Sequence, residues 1–210
     1  MNAGRPLPNR VDPYGALVAV RARGALMGNR GGRFHRDDGA LGSRRWVSER
    51  WIACLCAFRG RRREVWGRGY TEVFFLDEPT ALAAGHRPCF ECRRAEAEAF
   101  RRAFDESGRT SAAAIDRRLH RERLAHFAGR FEARALDELS DGVMVERAGA
   151  PFAVRGDALL PWSFFGYGAP EPRPRAARVR VLTPPSIVRA LAAGYRPRWA
   201  EAARIEEGGQ

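Results

Sequence analysis

A chain of 210 residues with 45% hydrophobic content is long enough to bury one core or two small ones, so a globular protein is expected. No apolar run is long enough to span a bilayer and the opening MNAGRPLPNRVD lacks the apolar stretch of a signal peptide, which points to a cytoplasmic address and no membrane partner. The net charge of +12 fits polyanionic partners or a merely solvated surface. All 37 basic residues are arginine, a choice that a GC-rich genome explains; their placement is another matter, because residues 1–70 hold 15 arginines against 5 acids and residues 71–210 hold 22 against 20.

Residues 1–9 read as a loose arm. Short strands are expected at residues 16–20 and 25–27, separated by glycine and aspartate turns. In Asn29-Arg30-Gly31-Gly32-Arg33 the two glycines let backbone amides converge on an anion while Arg30 and Arg33 supply charge, the physics of a phosphate nest, although an ordinary arginine-rich turn has the same composition. His35 follows as an exposed loop histidine or a reserve metal ligand.

Residues 51–58 read as a strand whose period of two places Ile52, Cys54, Cys56 and Phe58 on one face. Both thiols then point the same way, either toward a metal or into a core that uses cysteine as a small apolar residue. Residues 44–75 read as a hairpin or a small meander, with Arg59-Gly60-Arg61-Arg62-Arg63 at the hairpin tip. With Trp46, Trp51, Trp66 and Tyr70 nearby, Arg59, Arg61, Arg62 and Arg63 offer charge for phosphates and the rings offer stacking for bases, unless those rings serve the core.

The stretch from residue 73 to 104 is the densest in chemistry. Residues 73–76 form a strand, Asp77 caps a short helix with Pro79 in its first turn, and Gly85 with Pro88 ends it. Cys89 and Cys92 follow in a Cys-x-x-Cys loop, the second opening a helix on which Ala95, Ala99, Phe100, Ala103 and Phe104 share a face. A thiolate at a helix N-terminus has its pKa lowered by the backbone dipole, which suits a zinc ligand. Four cysteines allow two disulfides, but in a reducing compartment two close pairs more often bind metal. If the strand face carrying Cys54 and Cys56 looks toward the Cys89 loop, four sulfurs converge at about 2.3 Å from one Zn2+. His86 joins His35 as a reserve ligand.

The run FFLDEPTALAAGHRPCFECRR, residues 74–94, resembles the metal-binding N-terminal domain of the Ada (adaptive response) DNA-repair family, and related small zinc modules attached to nucleases. That resemblance implies zinc held by four cysteines with Cys89 and Cys92 as the second pair. The family spaces its first pair Cys-x-x-x-Cys, whereas this chain has Cys54-Leu55-Cys56, which leaves the other ligands open. The resemblance also implies, as an alternative activity, a zinc-activated thiolate at Cys54 or Cys56 that accepts a methyl group from a DNA phosphotriester. The whole chain further resembles bacterial proteins without an assigned activity, a likeness that adds no function.

Pro88-Cys89-Phe90-Glu91-Cys92 meets half of the zinc-deaminase signature, but neither His35 nor His86 is followed by x-Glu, so deamination is set aside. Residues 111–124 return to helical periodicity, with Asp116, His120 and Arg123 spaced as a proton-transfer set or, preferably, as surface pairs. Residues 136–168 read as hairpins, signalled by Asp141-Gly142 and Gly149-Ala150-Pro151 before apolar runs, with aromatics between Pro161 and Gly168 packing across a strand end or stacking on a ligand. A strand at residues 179–182 leads to a helix capped by Thr183. That helix ends in Ala190-Leu-Ala-Ala-Gly-Tyr-Arg-Pro197, near-identical to Ala81-Leu-Ala-Ala-Gly-His-Arg-Pro88 but lacking the cysteine, and is read as shared capping chemistry.

The expected fold is α+β: a small antiparallel sheet with the Cys-x-x-Cys module in a basic zinc-binding region, residues 1–108, and a helix with a β-rich unit in residues 109–210. The expected function is zinc-stabilised binding of nucleic acid, DNA before RNA, through the arginine-rich N-terminal face. The alternatives are an enzyme acting on nucleic acid and a zinc-pinned scaffold for an acidic protein partner.

Overall fold

The computed structural model describes residues 5–60, 64–105, 107–175 and 177–200. Its first sheet is built from β1 (Pro8–Val11), β2 (Leu17–Ala19), β3 (Leu26–Asn29), β4 (Ile52–Leu55), β5 (Val73–Phe75) and β6 (Arg87–Pro88), in the spatial order β2-β1-β5-β3-β4-β6. The β1–β5 and β4–β6 pairs are parallel and the others antiparallel. Strand β3 therefore lies between β4 and β5, so the hairpin expected from residue 51 through the arginine run to residue 75 does not form as a direct pair. The strand expected over residues 51–58 is also shorter, ending at Leu55.

The register gives the sheet two unlike faces. Arg10 stands beside Phe74, Phe74 beside Met27, and Met27 beside Cys54, so these four side chains form one row. The alternate residues, Val11, Leu26, Ala53, Val73 and Phe75, face the other way and pack with Ala81 of α1 (Glu78–Ala83) and its C-cap residue Ala84. One face is thus a core, and the other carries a sulfur-containing cluster of Met27, Cys54 and Cys89 flanked by Ile52, Phe74 and Cys92.

Helices α2 (Arg94–Phe104) and α3 (Ala112–Phe127) lead to the second sheet, made of β7 (Ala133–Ala135), β8 (Met144–Arg147), β9 (Ala150–Arg155), β10 (Ala158–Ser163), β11 (Gly166–Tyr167), β12 (Glu171–Pro172) and β13 (Arg178–Val181). Its order is β11-β10-β9-β8-β13-β7, with β12 on β10, and every pair is antiparallel. Ala148 (φ 50°) and Gly149 (φ 78°) make the two-residue turn between β8 and β9, both in the left-handed region that a type I′ hairpin needs. Inward residues Val145, Val154, Leu159 and Val181 meet Ile115 and Leu119 of α3 and Ile187 and Leu191 of α4 (Pro185–Ala192). Leu82 of α1 and Phe100 of α2 belong to that same cluster, which thus draws on residues from both sides of residue 108. Thr183 does not cap α4: Pro184 holds that position, and the Thr183 Oγ1 accepts from the Met144 amide at 2.8 Å. No helix among the described residues is long and apolar enough to cross a membrane.

Candidate metal centre

The cysteine loop is placed by the helix stop before it. Asp77 accepts from the Thr80 amide at 3.1 Å as the expected N-cap of α1. At the other end Gly85 takes φ 74°, with Gly85 N donating to Leu82 O and His86 N to Ala81 O at 2.8 and 2.9 Å. This paired closure satisfies the last helix carbonyls and reverses the chain. The chain then runs as β6 beside β4: Arg87 N donates to Trp51 O and Cys89 N to Ala53 O, at 3.1 and 3.0 Å. Pro88 fits between them because the amide it lacks would point away from the neighbour. That register carries Cys89 to Cys54.

Two buried ion pairs clamp the loop at its ends. Before it, Arg87 makes a bidentate bridge to Asp116 of α3, with both N···O distances 2.8 Å. After it, Arg93 Nη2 donates to Glu78 Oε2 at 2.6 Å, and Glu78 also accepts from the Tyr195 hydroxyl at 2.5 Å and the Arg198 amide at 2.8 Å. All four charged groups are at least 90% buried, so each needs its partner and the geometry between them is tightly held. Helix α2 begins at Arg94 with Arg93 as its N-cap residue, two positions later than the expected start at Cys92.

The result is a cluster in which the sulfurs of Cys54, Cys89 and Cys92 lie within 4.8 Å of one another. Backbone amides already serve two of them: Glu91 N donates to Cys89 Sγ and Leu55 N to Cys92 Sγ, each at 3.4 Å. Contact with Cys54 and the amide bonds lower the Cys89 pKa, while contact with Cys89 and burial raise Cys54. Burial also raises Cys92. A cation in the centre would displace the thiol protons and offset the charge of the thiolates. Three converging sulfurs with amide support form a set that fits a thiophilic metal ion.

Cys56 does not join them. Its strand ends one residue earlier, the chain bends, and the period-two argument no longer holds; the thiol turns to the carbonyl oxygens of Gly24 and Ala25 at 3.8 and 3.6 Å. The thiol is exposed, yet the residue still lines the same cavity, of about 80 Å3, as the three cluster cysteines. Neither reserve histidine is near. His35 bonds to Thr71 Oγ1 at 2.8 Å and stacks on Trp66, and His86 lies on the opposite face of the sheet, against Trp51 and Phe75.

The arginine candidates separate sharply. Arg30 is fully buried, its guanidinium 4.0 Å over the Trp51 ring and donating to Gly15 O at 2.9 Å, so it cannot meet a phosphate. Gly31 N donates to the Asn29 side chain, and a Cβ on Gly31 would lie 1.9 Å from Ser48 Oγ; the two glycines serve a close chain approach, which favours the ordinary arginine-rich turn over the anion nest. Arg33 is exposed but bridges to Asp37, and Arg59 is exposed over the Phe58 ring. Arg61, Arg62 and Arg63 lie outside the described residues. Trp51 is fully buried between Arg30 and Arg123, leaving Tyr70, 46% exposed, as an accessible ring of that set.

Asp116, His120 and Arg123 do structural work: Asp116 holds Arg87, and Arg123 donates to Gly85 O and Glu49 O, both at 2.7 Å. In the aromatic stretch, Trp162 Nε1 donates to Thr80 Oγ1 and the Tyr167 hydroxyl to Asp77 Oδ2, both at 2.9 Å, bracing α1 from the second sheet. The clamp of Glu78 with Arg93 and Asp116 with Arg87 is not legible in the sequence, where Asp116 stands out only by its spacing from His120 and Arg123 and nothing pairs it with Arg87 or Glu78 with Arg93. Comparison of the chain with protein-family models, with curated proteins and with solved structures finds no match.

Proposed function

We propose that the protein binds one zinc ion through Cys54, Cys89 and Cys92, and that the metal ties the first sheet to the start of α2 in a protein that binds nucleic acid. The observation that carries this reading is the convergence of three sulfurs from two segments, Cys54 on β4 and the Cys89–Cys92 loop 35 positions later, with that loop clamped on both sides. Thiolates are soft ligands suited to zinc, and a structural zinc ion contributes on the order of 10 kcal/mol to folding. The Ada-like resemblance of residues 74–94 points the same way.

The nucleic-acid half of the proposal rests on charge. Among the described residues Arg23, Arg44, Arg50 and Arg68 are exposed and have no carboxylate partner, within a 70-residue stretch whose arginines exceed its acids by ten. Such a surface attracts phosphates and releases their counterions. The test is fluorescence anisotropy with labelled duplex DNA, single-stranded DNA and RNA as salt rises from about 50 to 200 mM. Affinity should fall steeply, and Arg44→Ala, Arg50→Ala and Arg68→Ala should each weaken binding on every sequence and flatten the salt slope by about 1 per lost phosphate contact. Binding that is absent, or indifferent to salt, contradicts it.

A further inference from the structure

We infer that the metal centre has three protein ligands and a fourth position open to a small exogenous donor. This rests on the zinc reading above and goes beyond it, because a closed four-cysteine site and an open three-cysteine site do different chemistry.

Among the described residues, the metal-capable group contains Cys54, Cys89 and Cys92 and no fourth histidine, cysteine or carboxylate. Three side chains that sequence reasoning offered as completing ligands are directed elsewhere. Cys56 faces two main-chain carbonyls, His35 is held by Thr71 and Trp66, and His86 is on the other side of the sheet. The three sulfurs meet over the sheet face that lacks the helix α1 cover, and they line a cavity of about 80 Å3 whose wall also includes exposed Tyr70 and Glu91 and the buried Asn29. That volume admits a water molecule or a small group of similar size, since a water occupies roughly 30 Å3 in the liquid. The polar groups of Asn29, Tyr70 and Glu91 around it suit a polar ligand.

A tetrahedral ion held by three thiolates on one side presents its remaining position to that cavity. The ligand class is therefore a monodentate donor: water at rest, displaced by a small imidazole or thiol. The clamps at Arg87 and Arg93 hold both ends of the Cys89 loop in place, because each end is tied to a buried carboxylate.

Cobalt substitution tests this directly, since the charge-transfer absorption of Co2+ scales with the number of thiolates and its visible bands respond to a change of fourth ligand. The full-length protein and its Cys56→Ser variant should bind one Co2+ each with the same charge-transfer intensity, and imidazole should shift the visible bands of both. X-ray absorption of the zinc form should show three sulfur scatterers and one lighter donor. Four sulfurs in the full-length protein, reduced to three in Cys56→Ser, would overturn the inference while leaving the zinc reading intact. Visible bands that do not respond to imidazole would overturn it too. A protein that takes up neither cobalt nor zinc would overturn both.

Discussion

The chain ends two helices with nearly the same eight residues, and the two copies are put to different uses. Both close identically: Gly85 (φ 74°) and Gly194 (φ 101°) turn the chain, and His86 N and Tyr195 N reach back to Ala81 O and Ala190 O at 2.9 and 3.0 Å. Both aromatic side chains fold inward and are buried. Beyond that point they diverge. Arg87 enters a buried bridge to Asp116 and β6 joins the first sheet, delivering Cys89 to Cys54; Arg196 stays exposed, and Tyr195 docks its hydroxyl on Glu78. Local sequence thus determines how a helix stops, and the tertiary partner determines what the stop delivers.

The largest difference between the copies should come from their arginines. Arg87→Ala leaves Asp116 charged and unpaired in the interior and should cost about 3–5 kcal/mol, whereas Arg196→Ala, at an exposed site, should stay within about 0.5 kcal/mol in urea unfolding. Equal losses at the two positions would break the comparison. Next come the glycines. Gly194→Ala should cost about 1–2 kcal/mol for its left-handed backbone alone, since a Cβ there meets nothing within 4 Å. Gly85→Ala should cost about 1–3 kcal/mol more, because its Cβ would lie 2.6 Å from Arg123 Cγ and push on the side chain that holds the turn.

The smallest effect at neutral pH concerns the two aromatics. Burial, followed by the charges of Arg30 and Arg123, holds the His86 pKa well below its ordinary 6.5; the ring faces Trp51, Phe75 and the Arg30 guanidinium. The folded protein therefore keeps His86 neutral while the unfolded chain takes up a proton as pH falls through 6.5. The stability this contributes is intact above that pH and is lost below it. His86→Phe should flatten the slope of unfolding free energy against pH on the acid side, leaving the part due to His120 and His126, which burial also lowers. Tyr195→Phe should leave that slope unchanged.

Much of the helix-stop chemistry was legible in the chain itself. The Asp77 cap, the Gly85 and Gly194 reversals and the Cys89 loop are written in residues at most nine positions apart, where local rules decide the outcome. The β8–β9 turn was equally visible as a glycine before an apolar strand. What local rules missed was where distant pieces meet. Nothing near Arg30 in sequence indicates that Trp51 and His86 will bury it, and β6, two residues with a proline, has no strand signature apart from its pairing with β4. Cys56 was misplaced for a related reason: alternation predicts a side chain's direction only while the strand lasts, and β4 ends one residue too soon.

The account stands on Cys54, Cys89 and Cys92 forming one metal site from which Cys56 is excluded. Zinc content per chain, measured on the purified full-length protein and on its Cys89→Ser and Cys56→Ser variants, tests this most directly. The expected result is one zinc per chain in the full-length protein and in Cys56→Ser, with loss of the metal in Cys89→Ser. Full-length protein without stoichiometric metal, or equal metal loss in both variants, would contradict it.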